Sequence, residues 1–109
     1  MQFNAFLESY FQAANAHSVA ATLDHFAPDA MVEDDGKEHH GTEGIRHWLE
    51  ETNVNYNPQS TVLNPSASGD SGKALVSVSG TFPGSPVQLK FNFALAHGKI
   101  RSLTFGESL

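Results

Sequence analysis

From Val87 to Ala96 the chain alternates without interruption: Val87, Leu89, Phe91, Phe93 and Leu95 fall on one face, and Gln88, Lys90, Asn92, Ala94 and Ala96 on the other. A run with period two is a strand with a single apolar face. An apolar face of that length must be covered by something, and the N-terminal part of the chain has the pattern to cover it. Phe3, Phe6, Leu7, Tyr10, Phe11 and Ala14 recur at helical spacing and give one wide apolar stripe. Asn15-Ala16-His17 breaks that stripe. Ser18 then suits the N-cap of a shorter second helix with Val19, Leu23 and Phe26 inward, which Pro28-Asp29 should stop.

Residues 30–34 read as a short strand, with Ala30, Val32 and Asp34 on one face and Met31 and Glu33 on the other. Gly36 and Gly41 bracket a polar loop. Thr42 can cap a third helix whose stripe is Ile45, Trp48, Leu49 and Thr52, and residues 53–58 should end it. From Gln59 onward the period is two. Strands are expected over residues 59–64, 73–82 and 100–105 beside the long one, with turns at 65–72, 82–86 and His97-Gly98. Helices followed by antiparallel strands make this an α+β chain, with the helices packed on one face of a curved sheet.

At 109 residues the chain has room for one domain and one core, spanning residues 1–109. Its net charge of −6, without a basic run, argues against a nucleic-acid surface. The N-terminal residues lack the pattern of a secretory signal, and no apolar run approaches a membrane span, so a cytoplasmic location without membrane contact is expected. Cysteine is absent, which removes thiol chemistry and cysteine–zinc sites. His39 and His40 lie near Asp34, Asp35 and Glu38, but adjacent residues of an extended segment point opposite ways and the spacing fits no zinc pattern. No metal and no cofactor are expected.

Four segments resemble a known family: Tyr10-Phe11-Gln12-Ala13-Ala14-Asn15-Ala16, the run from Leu23 to Asp34, the run from Gly41 to Trp48, and the run from Phe93 to Leu103. Together they are similar to the nuclear transport factor 2-like superfamily, in its SnoaL-like polyketide cyclase and ketosteroid isomerase branch. The resemblance implies a cystatin-like cone: three helices capping a strongly bent sheet, a pocket at the open end, and frequent homodimers through the outer sheet face. In the isomerases a carboxylate after the first strand moves a proton, while a tyrosine and a protonated aspartate stabilise the oxyanion. Carried over, the base falls on Asp34 and the tyrosine on Tyr10. The second oxyanion donor falls at about Phe91, which cannot donate a hydrogen bond.

Each candidate has two readings. Asp34 is either a partly desolvated carboxylate usable as a base near neutral pH, or a solvated acid at the start of the loop. The helical stripe favours Tyr10 as a core residue, and the alternative turns its hydroxyl into the cavity as an oxyanion donor. Val32, His39, Trp48, Phe91 and Phe93 are the candidate ligand contacts. The leading expectation is a small-molecule pocket acting on an apolar or carbonyl-bearing metabolite by cofactor-free isomerisation, cyclisation or dehydration. The alternatives are a non-catalytic binding module and a dimerisation scaffold with a filled cone. Ser77, Ser79, Thr81, Gln88, Lys90 and Asn92 make a mild outer face suited to a homodimer.

Overall fold

In the computed structural model, which describes residues 2–107, three helices lie against one face of a six-stranded sheet. The first helix, α1 (Phe3–Asn15), buries Phe6, Leu7, Tyr10 and Phe11, the stripe its spacing predicts. The short α2 (Val19–Leu23) is capped by Ser18, whose Oγ accepts a hydrogen bond from the Ala21 N–H at 3.2 Å. It ends at Leu23 rather than at the proline. Phe26 opens the strand β1 (Phe26–Asp34), so Pro28 lies inside a strand instead of stopping a helix. Pairing of β1 with the last strand is irregular between Phe26 and Met31, which spares Pro28 the ladder bond it cannot donate.

The segment read as a polar loop is a hairpin. Its second strand is β2 (Lys37–His40), and Asp35 and Gly36 turn the chain with φ of 55° and 76°. Asp-Gly is a preferred pair for that left-handed two-residue turn, a signal that the alternation around it was too short to expose. Helix α3 (Gly41–Tyr56) begins at once, with His40 rather than Thr42 at its N-cap position. It runs past Asn53, and Asn57 closes it in the left-handed region with its N–H bonded to the Asn53 carbonyl.

Strand β3 (Gln59–Ser68) extends through Pro65, well beyond residue 64. It is an edge strand, where proline is tolerated. Strands β4 (Ser71–Ser79), β5 (Val87–Ala96) and β6 (Lys99–Glu107) complete the sheet, and the His97-Gly98 turn is as expected. The order is β2-β1-β6-β5-β4-β3, antiparallel throughout except for the parallel pair β1–β6. Register breaks near Val62, Ala94 and Pro28 put irregular steps into three of the five pairings, and such steps bend a sheet. The inner face packs Val32, Ala74, Val76, Phe93, Ile100 and Leu103 against Ile45 and Leu49 of α3 and the α1 stripe. Gly72 leaves room for the Phe3 ring in this packing, because a Cβ there would stand 2.3 Å from it and the ring would have to move. Among the described residues no helix is long and apolar enough to cross a membrane.

Candidate functional site

The bent sheet and the two long helices leave a cavity of about 490 Å³, so the cone is not filled. Its walls come from α1 (Tyr10, Phe11), α3 (Trp48, Leu49, Thr52, Tyr56) and the strands (Asp34, Ser60, Val78, Leu89, Phe91, Phe105). That volume is in the range of pockets that bury a drug-sized molecule.

Strand β1 delivers Asp34 to the wall as its last residue, because the strand's alternation continues the buried face of Ala30 and Val32. Helix α3 brings Trp48 to meet it. The Trp48 Nε1–H donates to Asp34 Oδ2 at 3.0 Å, so the half-buried carboxylate has one oxygen anchored. Both residues stand out in the sequence, but their bond crosses two elements and no spacing rule announces it.

From Trp48 a continuous aromatic wall crosses the cavity. Trp48 and Phe105 have ring centroids 6.0 Å apart, Phe105 meets Phe91 at 4.6 Å and 82°, Phe91 meets Phe11 at 5.3 Å, and Phe11 meets Tyr10 at 5.0 Å. The Trp48–Phe105 pair is tilted at 42°, and the other three are edge-to-face, the geometry that aromatic quadrupoles favour. Tyr10 is only 2 % exposed, and burial pushes its hydroxyl above its ordinary value, holding it in the protonated, hydrogen-donating form. Among the described residues no hydrogen bond reaches that hydroxyl and no sealed side-chain polar atom lacks a partner, so the hydroxyl opens on the cavity. Behind the Tyr10 ring, His25 packs edge-on at 5.7 Å. Its Nδ1 lies 2.9 Å from the Ala21 carbonyl, which can only accept, so Nδ1 donates there, and its Nε2 lies within hydrogen-bond distance of Ser9 Oγ at 2.8 Å.

Of the expected site residues, Asp34, Tyr10, Trp48 and Phe91 line the cavity together. Val32 and Phe93 do not. Val32 is fully buried in the core, and Phe93 is enclosed by Phe3, Phe6 and Tyr10. Both share the apolar strand face, but the helices cover that part of it completely. His39 is half-buried beside Trp48, 6.2 Å between rings, outside the cavity wall.

Some wall residues carried no signal. Asn15, read only as the end of a helix, pairs with the backbone of Ser60 in both directions: Nδ2 donates to the carbonyl at 2.9 Å, and Oδ1 accepts from the N–H at 2.7 Å. It fastens α1 to the edge strand at the cavity wall. Tyr56 and Phe82 meet edge-on at 5.9 Å, and the Tyr56 carbonyl accepts from the Thr81 N–H at 2.8 Å.

Residues 7–103 match the SnoaL-like domain family. A candidate polyketide cyclase from Sinorhizobium meliloti is 33 % identical over 94 % of each chain, with a TM-score of 0.89. A protein with a ketosteroid isomerase-like fold from Catenulispora acidiphila, solved with trimethylamine, is 22 % identical over 95 % of this chain and 85 % of its own, with a TM-score of 0.84. An NTF2-like protein of unknown function from Cytophaga hutchinsonii is 13 % identical over 99 % and 91 %, with a TM-score of 0.82. The last two likenesses are of fold alone. No curated protein matches the sequence.

Proposed function

This chain belongs to the SnoaL-like domain family, and we propose that its cavity performs cofactor-free proton transfer on a carbonyl compound with Asp34 as the general base. The observation that carries the reading is the 3.0 Å bond from the Trp48 indole to one Asp34 oxygen, in the wall of an apolar cavity. A base must be aimed as well as basic, and anchoring one oxygen leaves the other to meet a C–H bond. The Tyr10 hydroxyl is the proposed donor to the oxygen of the resulting enolate, and its raised pKa keeps the proton available at every physiological pH. Returning the proton to a different carbon gives isomerisation. Attack of the enolate on a second carbonyl gives ring closure, and loss of a β-hydroxyl gives dehydration.

The experiment needs no knowledge of the natural substrate. The protein is incubated in deuterated water with a panel of cyclic and aromatic ketones, and deuterium uptake at the carbon next to the carbonyl is followed by NMR. Catalysed uptake by the native protein, lost in Asp34→Asn, is the expected result. Uptake that persists in folded Asp34→Asn would remove Asp34 as the base. No catalysed uptake across the panel would favour a binding module, for which the same open cavity is the supporting observation.

A further inference from the structure

The cavity wall is electrostatically one-sided. Its charged side chains are Asp34 and Asp35, and no lysine, arginine or histidine lines it among the described residues. The nearest cation along the hairpin is Lys37, opposite Asp34 in the strand register, and it is exposed. The ion pairs among the described residues are His40–Glu38, Arg46–Glu43 and His47–Glu51, so none engages Asp34 or Asp35. Trp48 contributes an N–H to Asp34 but no charge. The whole chain, at −6, adds a field of the same sign.

We propose that the ligand is an apolar amine bound as its ammonium ion, with the charged head at Asp35 on the rim and the ring system against Trp48, Phe105 and Phe91. A carboxylate or phosphate ligand would meet two like charges and no compensating cation in a site of reduced dielectric. An ammonium meets the opposite situation: a carboxylate for its charge and aromatic rings that attract cations. A metal ion does not fit the same feature, because among the described residues no three potential ligands gather. The inner end is independently built for a ligand, since the 2 % exposed Tyr10 opens on the same cavity a hydroxyl that no hydrogen bond reaches among the described residues.

The assignment divides the two neighbouring carboxylates. Asp35 is exposed at the turn and Asp34 is half-buried with one oxygen on Trp48. An ammonium at Asp35 offsets the outer charge and leaves Asp34 facing the body of the ligand. This rests on the reading of the cavity as a ligand site, and not on Asp34 moving a proton.

Three probes of one shape separate the contributions: 1-naphthylmethylamine, 1-naphthylmethanol and 1-naphthoate, titrated by calorimetry at neutral pH and moderate salt. The amine should bind about tenfold more tightly than the alcohol, and the carboxylate more weakly than either. The test variant is Asp35→Asn, which suits the backbone because asparagine readily adopts the φ of 55° found there. It should bring the amine-to-alcohol ratio close to one while leaving the alcohol's affinity unchanged. Equal binding of amine and alcohol by the native protein, an undiminished ratio in Asp35→Asn, or no amine binding at all would overturn the proposal. A native protein with no amine preference but with catalysed deuterium exchange refutes the ligand class alone, and one with the amine preference but no catalysed exchange refutes the proton-transfer reading alone.

Discussion

Tyr10 and Trp48 show how far single side chains carry the site. The buried Tyr10 phenol must stay neutral in the folded chain while the unfolded chain ionises near its ordinary pKa of about 10. Its contribution to stability is therefore complete below that pH and is lost as the pH rises above it. Thermal melts should show the native protein losing stability above about pH 10 more steeply than Tyr10→Phe. Parallel curves would mean that water in the cavity solvates the phenolate as well as bulk water does. Trp48→Phe keeps a smaller aromatic face against the ligand and loses the N–H to Asp34. Its kcat should therefore fall about tenfold while KM changes much less, the mark of a residue that positions Asp34 as well as lining the pocket. A raised KM at constant kcat would instead make Trp48 a plain ligand contact. Asp34→Asn keeps an oxygen that can accept from Trp48, so its melting temperature should stay near that of the native protein. Sequence pattern singled out Asp34, Tyr10 and Trp48 one at a time. It could not tell Val32 and Phe93 from Phe91, because all three share the strand alternation and only the placement of the helices decides which of them reach open space.

Element type was easier to read than element ends. Period and composition marked α1, the stripe of α3, and β4 and β5, because burial on one face imposes them directly. Prolines misled twice: Pro28 and Pro65 both lie inside strands, at a register break and on an edge, where no ladder donor is needed. The short β2 escaped notice because both its faces are largely solvated and carry no alternation. Joints between elements give the next tests. Asn15→Ala removes two hydrogen bonds that hold α1 to β3 and should cost about 1–2 kcal/mol in denaturant melts. A Cβ on Gly80 would stand 2.1 Å from the Tyr56 carbonyl oxygen, whereas one on Gly106 meets nothing within 4 Å. Gly80→Ala should therefore lower the melting temperature sharply as the end of α3 is pushed from β4, and Gly106→Ala should leave it in place. Equal melting of the two variants would show that the α3–β4 joint gives way freely.

At the scale of the molecule, the sheet's two faces have different tasks: the inner one forms core and cavity, and the outer one is left to solvent or to a partner. The outer face carries Ser77, Ser79, Gln88, Lys90 and Asn92, polar but sparsely charged, and a homodimer through it is proposed on that ground. Sedimentation at micromolar concentration should give twice the chain mass, and a monomer throughout would rule the interface out. The α+β layering was legible from the succession of helical and alternating segments, and the cone was implied by the family resemblance. The open volume was not legible, since it depends on how the rings of Phe11, Phe82, Phe91 and Phe105 settle against one another. The chain's one tryptophan is also the residue that grips Asp34 at the cavity wall. The protein thus carries a single indole at its proposed reaction centre, whose emission can be excited selectively over that of the two tyrosines. A ligand entering the cavity should change that emission directly, so unlabelled protein can screen a metabolite library by light alone.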